Sequence, residues 1–266
     1  MIPAEFDYVA AESVEEAVRH LRENGEDAKL LAGGHSLLPL MKLRLAAPTL
    51  LVDLRRVPDL AGISSNGGIK IGAMTTHTAI ANADLGLIAS VSSTIADPQV
   101  RNRGTLGGSL AHGDPASDQP AILLAYEGSV TVRGPGGERT IAAADLFVDY
   151  LQTSLSQDEI VTSVRVPKAA RSAYVKFNRR AQDWAIVGAA AVVDGSSARI
   201  ALTGVGSKPV RASAAEAAFS GSNAAEAAAH ASDGLDPPSD TAASGEYRAH
   251  LARVLVRRAL EAAMAL

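Results

Sequence analysis

Apolar positions define the first elements of the chain. Val14, Ala17, Val18 and Leu21 recur at helical spacing directly after Ser13-Val14-Glu15-Glu16, a capping box whose serine and glutamate stand three residues apart. A helix therefore begins at Val14, and Gly25 ends it. Residues 29–32 read as a short buried strand running into Gly33-Gly34-His35-Ser36. Residues 37–44 read as a helix despite Pro39, and 50–54 as a second strand. Strand, turn, helix and strand in that order suit a small parallel unit.

Residues 68–72 alternate like an exposed edge strand, and 75–83 and 85–96 follow helical spacing. Residues 102–118 are dense in glycine and read as a loop, followed by an apolar helix at 120–127. Segments 130–133 and 139–142 flank Gly134-Pro135-Gly136-Gly137 as a hairpin, and 160–166 is a strand closed by Pro167. The remainder reads as a separate lobe with strands at 174–178, 185–194 and 199–205 and a helix near 213–218. Pro237-Pro238 forces a loop at 233–240, and 246–265 forms an amphipathic helix with Tyr247, Leu251, Val254 and Leu255 on one stripe. This mixture predicts an α+β protein rather than a doubly wound sheet.

Composition narrows the chemistry. The 266 residues contain no cysteine, which excludes disulfides, thiolate zinc, a catalytic cysteine and any iron-sulfur cluster held by this chain's own thiols. A formal net charge of −4 with both signs interspersed offers no basic footprint for nucleic acid. No apolar run approaches the ~20 residues of a membrane span, and the first residues lack a signal-peptide layout, so a cytoplasmic chain is expected, with peripheral placement at the inner membrane face compatible with it. Aromatics are only 4%, so the core must rest on Leu, Val, Ile and Ala.

Gly33-Gly34-His35-Ser36 lies between a strand and a helix, where several backbone N–H groups can converge on one concavity, an arrangement that binds phosphate. A tight turn needing positive φ is the simpler reading of a single Gly-Gly pair. A second glycine turn at 104–109 shifts the balance toward a diphosphate cradled twice. Neither turn matches G-x-G-x-x-G or G-x-x-x-x-G-K-[ST], so a Rossmann or P-loop nucleotide site is not supported. Gly204-Val205-Gly206-Ser207-Lys208 also lacks the phosphate-loop spacing.

Residues 31–42, Leu-Ala-Gly-Gly-His-Ser-Leu-Leu-Pro-Leu-Met-Lys, carry a likeness, together with Ala96-Asp97-Pro98-Gln99-Val100-Arg101, Thr105-Leu106-Gly107-Gly108-Ser109 and Asp114-Pro115-Ala116-Ser117-Asp118. With Arg179-Arg180, Asp183 and the closing Glu246-Tyr247-Arg248 and Arg257-Arg258-Ala259, the chain resembles, over nearly its whole length, the FAD-binding medium subunit of molybdenum hydroxylases. That is the xanthine dehydrogenase and aerobic carbon monoxide dehydrogenase family. The closing segment looks most like the carbon monoxide dehydrogenase medium subunit, while related subunits serve N-heterocycle and aldehyde hydroxylases.

The resemblance implies an FAD-binding domain over 1–167, divided near 55 into two subdomains with FAD between them, and a smaller α+β domain over 168–266. It implies that Ala32, Gly33, Gly34, His35, Ser36 and Leu37 hold the diphosphate in the first turn, and that Thr105, Gly107, Gly108 and Ser109 form the second. Asp118 would reach the ribityl or flavin end, with Ile95, Ala96, Val100, Ala111 and Ser117 along the cofactor. Val161 would lie near the adenine or the ring, and Lys176 near the isoalloxazine. Many relatives carry Asn where this chain has Ser109, which keeps one hydrogen bond and loses the amide's second group. The implied partners are a large molybdenum-cofactor subunit and a small subunit with 2Fe-2S clusters, in a dimer of heterotrimers. This chain would pass electrons to a quinone or NAD. Two rivals are a stand-alone FAD-dependent oxidase of the same fold and a nonenzymatic assembly protein whose glycine turns bind nothing.

Individual side chains have alternative readings. A cation at the pyrimidine edge favours the charge a flavin gains on reduction, which makes Lys176 a tuning candidate; otherwise it is a solvated strand lysine. His35 is expected to pack or hydrogen-bond within its turn rather than attach flavin covalently. His112, Asp114 and Asp118 fall short of a metal-ligand set. Asp118 is either a helix cap or a flavin contact, Arg179-Arg180 pair with phosphate or, more simply, meet a partner subunit or Asp183, and Trp184 is core or interface, with flavin stacking as the sharper alternative. No nucleophile stands with its base.

Overall fold

The computed structural model describes residues 2–65, 67–169 and 171–266. The first unit is a three-stranded parallel sheet of β1 (Asp7–Ala10), β2 (Ala28–Leu31) and β3 (Leu50–Asp53), in the order β1-β3-β2. Helix α1 (Val14–Asn24) packs on it through Ala17, Val18 and Leu21. Ser13 caps α1 by accepting the Glu16 N–H, while the Glu16 carboxylate reaches back to the N–H of Glu12. Helix α2 (Leu37–Lys42) accommodates Pro39 because it lies in the first turn, where an N–H has no intrahelical partner. Strand β1 escapes the pattern analysis: two of its four residues are exposed and two are half-buried, and it is held by pairing to β3 and by the packing of Val9 on the core.

A five-stranded antiparallel sheet follows, with β4 (Ile63–Ser64), β5 (Ile69–Gly72), β6 (Ser129–Gly134), β7 (Gly137–Ala142) and, after the short hairpin β8 (Phe147–Asp149) and β9 (Gln152–Thr153), β10 (Ile160–Val166). Its order is β4-β5-β10-β6-β7, so β5 is an interior strand and not the exposed edge its alternation suggested. Ile69 and Ile71 are buried because their face of the sheet packs on the core with Leu106, Leu110 and Ile122, while β10 and β4 pair at the margins. Between β5 and β6 run α3 (His77–Ala81), α4 (Leu87–Ser93), α5 (Pro98–Arg101), α6 (Leu106–His112) and α7 (Asp118–Ala125), and α8 (Ala143–Leu146) follows β7. The glycine-dense stretch read as a loop thus contains a helix, α6. Thr105 caps it by accepting the Gly108 N–H, and Leu106 and Leu110 anchor it in the core, which outweighs the poor propensity of two glycines.

The last sheet, β11 (Ser172–Phe177), β12 (Val187–Asp194), β13 (Ser197–Thr203) and β14 (Val210–Arg211), is an antiparallel meander. Strand β12 is buried on both faces and is rich in alanine, which lets helices approach from each side. Ala190 and Val192 join the core around α7, while Ala189, Ala191 and Val193 join the core of α9 (Ser213–Ala218), α10 (Ala224–Ala229) and α11 (Gly245–Met264). The separate lobe expected for the C-terminal portion thus packs against the preceding portion through β12 and α7. Gly204 N–H and Thr203 Oγ1 both donate to the Pro115 carbonyl. The buried stripe of α11 runs through Arg248, Leu251, Leu255 and Ala259, and leaves Tyr247 exposed. Arg248 binds the carbonyls of Ile186 and Gly204 and the carboxylate of Asp240.

Candidate functional site

The turn after β2 and the turn before α6 meet back to back. A Cβ on Gly33 would run into the Arg103 carbonyl oxygen and come within 2.8 Å of Gly104 Cα. The Gly104 carbonyl accepts the His77 N–H, and Thr76 bridges Thr105, tying the second turn to α3. Gly34 sits at φ +76°, a conformation that glycine adopts freely, and thereby starts α2 by accepting the Leu38 N–H. The N–H groups of Gly33, Gly34, His35 and Ser36 have no acceptor among the described residues, so the first turn leaves four consecutive backbone donors available to a ligand.

The second turn differs. Gly107 N–H donates to the Ala73 carbonyl, Gly108 N–H to Thr105 Oγ1 and Ser109 N–H to the Thr105 carbonyl. The Gly108 and Ser109 amides are used at the start of α6 and the Leu106 and Gly107 amides on the carbonyls of Thr75 and Ala73, so this turn has fewer free donors than the second diphosphate cradle expected of it. What it offers instead is an open surface of small residues and the Ser109 hydroxyl, 3.0 Å from Ser117 Oγ.

Between the turns opens a cavity of about 610 Å³, within the roughly 300–1,000 Å³ typical of ligand sites. Every residue that the resemblance assigns to the cofactor lines it, whereas Arg179, Arg180 and the Gly204–Lys208 segment do not. Ala32, Gly33, Gly34, His35, Ser36 and Leu37 form one wall, Thr105, Gly107, Gly108, Ser109 and Ala111 another, and Ile95, Ala96, Val100, Ser117, Asp118, Val161 and Lys176 the rest. Val161 borders a register shift in β10, which re-aims the strand at this point. His35 Nδ1 lies 2.9 Å from the Gly33 carbonyl, the local hydrogen bond expected of it.

Lys176 is not a solvated lysine. Its Nζ stands 2.8 Å from Asp118 Oδ2, and both side chains are nearly buried. Asp118 Oδ1 accepts the Tyr174 hydroxyl at 2.6 Å. Burial pushes the Tyr174 phenol well above its ordinary range, and the Asp118 charge adds to that, so the phenol remains a donor. Asp118 is thus no helix cap: Ser117 occupies that position and Asp118 is the first residue of α7.

Several lining or supporting residues escape sequence reasoning. His77 is buried on the cavity wall with an unpartnered Nδ1, and desolvation, helped by the Arg101 charge, lowers it to about 4. Arg101 donates to the carbonyls of Ile95 and Ala96 at 2.9 and 2.7 Å and thereby holds Ala96 at φ +43°. Its place in the Ala96–Arg101 motif was the available signal. Trp184 is neither core nor covered: it is 61% exposed at the cavity, next to Asp183, which pairs with Arg180 at 3.1 Å.

Residues 4–169 match the FAD binding domain in molybdopterin dehydrogenase, and 172–263 match the CO dehydrogenase flavoprotein C-terminal domain. The chain belongs to the FAD-binding medium-subunit family of molybdenum hydroxylases. Family members similar to it include the carbon monoxide dehydrogenase medium chain of Hydrogenophaga pseudoflava, 43% identical over all of this chain and 99% of the relative. The nicotine 6-hydroxylase medium subunit of Paenarthrobacter nicotinovorans is 42% identical over 95% of each chain. The solved carbon monoxide dehydrogenase of H. pseudoflava contains a chain that superposes with a TM-score of 0.95 at 44% identity, covering all of this chain and 99% of that one. Among the described residues no helix is long and apolar enough to cross a membrane.

Proposed function

We propose that this chain is the FAD-carrying electron-transfer subunit of a molybdenum hydroxylase complex of carbon monoxide dehydrogenase type. The observation that carries the reading is the pairing, in one cavity, of a turn of four free N–H groups with a buried Lys176–Asp118 ion pair. The first fits a diphosphate and the second an isoalloxazine that gains charge. Bound FAD supplies reversible acceptance and release of electrons.

In this reading the protein binds, orients and tunes. The first turn donates to the diphosphate through Gly33, Gly34, His35 and Ser36, and the second lets it approach over Gly108. Ile95, Ala96 and Val100 cover the cofactor from the α5 side, with Arg101 holding their turn. Lys176 and Asp118 face the pyrimidine or ribityl end. The division into a flavin-binding portion over 1–167 and a smaller portion over 168–266 is supported by the change of sheet after β10.

The partners proposed are a large molybdenum-cofactor subunit and a small 2Fe-2S subunit, consistent with a chain that has no thiols of its own, assembled as a dimer of heterotrimers in the cytoplasm. The high identity to a carbon monoxide dehydrogenase medium chain supports that type, and the similar identity to a nicotine 6-hydroxylase medium subunit keeps an N-heterocycle hydroxylase as the second reading. Native purification with an absorbance spectrum and mass analysis tests both. FAD released by acid, with a molybdenum chain and an iron-sulfur chain alongside, is the expected result, and CO against N-heterocycle oxidation separates the types. A lone chain without flavin overturns the proposal.

A further inference from the structure

Gly188 is the second residue of β12, and a glycine within a strand weakens it unless something occupies the space of its missing side chain. Here the Tyr174 hydroxyl occupies it. A Cβ on Gly188 would collide with Tyr174 Oη, lie 2.8 Å from Tyr174 Cζ and equally close to Thr203 Cγ2. Tyr174 and Lys176 are two residues apart on β11, so they share a face, and Lys176 is the residue that pairs with Gly188 across the strands. From that face both reach one carboxylate: Tyr174 donates to Asp118 Oδ1 and Lys176 to Oδ2. Tyr174 does not line the cavity, whereas Asp118 and Lys176 do.

We propose that Tyr174 and Gly188 are positioning residues of the flavin site: Gly188 leaves the pocket through which the Tyr174 hydroxyl clamps Asp118, and the clamped carboxylate fixes the Lys176 ammonium at the cavity wall. This rests on the reading of the cavity as a flavin site. The clamp is specific in geometry. Among the described residues each carboxylate oxygen receives one side-chain donor, Lys176 Nζ has the Thr94 carbonyl at 3.5 Å as its only further partner, and the carboxylate is nearly buried, so losing the Tyr174 bond leaves Oδ1 without a protein donor.

Electrostatics sets the sign. The phenol directs the positive end of its O–H dipole at Asp118, partly offsetting the carboxylate's field in the cavity. Removing it leaves the cavity more negative and opposes flavin reduction. Tyr174→Phe should therefore lower the two-electron potential of the bound flavin, in the same direction as Lys176→Met. Gly188→Ala should do likewise by displacing the hydroxyl. Because both substitutions act through one hydrogen bond, the pair Gly188→Ala/Tyr174→Phe should shift the potential no further than Tyr174→Phe alone.

The experiment is a spectroelectrochemical titration of the complex as purified, in wild type, Tyr174→Phe, Gly188→Ala and the double variant, with thermal unfolding measured on each. A tenfold change in the oxidised-to-reduced equilibrium in Tyr174→Phe, with non-additivity in the double variant, supports the proposal. Folded, flavin-loaded Tyr174→Phe with an unchanged potential overturns it, even if its melting temperature falls, because a purely structural hydroxyl alters stability alone. Additive shifts overturn the part assigned to Gly188. Wild-type complex without flavin instead overturns the flavin reading itself, and so separates the two failures.

Discussion

Gly33 and Gly104 meet backbone to backbone, closely enough that one added methyl group on Gly33 has no place to go. The obstacle is main chain, which cannot swing aside as a side chain can. Gly33→Ala should destabilise the protein by about 2 kcal/mol or more, within the range for overpacking a tight contact. Denaturant unfolding of the variant checks this, and an unchanged midpoint would show that the two turns separate without cost.

Gly108 is a different case. A Cβ there would press on Thr105 Oγ1 at 2.8 Å and stand 3.6 Å from Ala32 Cβ, in the cavity between the turns. Gly108→Val should abolish FAD retention. Disturbing the Thr105 cap should cost only about 1 kcal/mol of stability, a loss read from thermal unfolding. Full flavin content in the purified variant would remove the second turn from the site.

The ion pair predicts two opposite shifts. Lys176→Met leaves the Asp118 charge uncompensated and should lower the flavin potential, whereas Asp118→Asn frees the Lys176 charge and should raise it. Each change should be on the order of tenfold in the redox equilibrium, or ~30 mV for a two-electron couple. Redox titration of both variants tests the signs, and shifts in one common direction would refute the assignment.

His77 makes stability depend on pH. Its imidazole is buried neutral, with its pKa lowered from 6.5 to about 4. A depressed folded-state value means that the unfolded chain binds the proton first. The stabilisation is complete above pH 6.5 and is lost as the pH falls from there toward 4, amounting to about 3 kcal/mol at most. His77→Leu should flatten the profile in that window, as unfolding between pH 7 and 4 will reveal.

Ala96 carries strain that Arg101 holds in place. Ala96→Gly should raise stability by up to about 1 kcal/mol by relieving the left-handed conformation. Arg101→Met should release the turn and weaken flavin retention. Calorimetry on the first and flavin content of the second check the pair.

Much of the site could be read from residue order because its parts are local. The Ser13 cap, the Gly34 turn and the hairpin at Pro135-Gly136 depend on neighbours a few positions away. The glycine-dense stretch misled because propensity counts two glycines against a helix, while Leu106 and Leu110 buried in the core count for it. Strand β5 misled because alternation reports which face is buried and says nothing about what pairs at the margins.

The sequence by itself determined the α+β class, the absence of any thiol chemistry and, through the likeness it carries, the family and part of the set of residues that line the cavity. Only the tertiary structure decided what those residues do to one another. The partner of Lys176 lies 58 positions away, the Leu106 and Gly107 amides of the second turn bond to the distant carbonyls of Thr75 and Ala73, and the hydroxyl that clamps Asp118 fits only because Gly188 has no side chain. Caps and turns follow from short-range hydrogen bonding along the chain. Charge compensation and burial depend on which distant segments the fold brings together, and so they appear only once the core is packed.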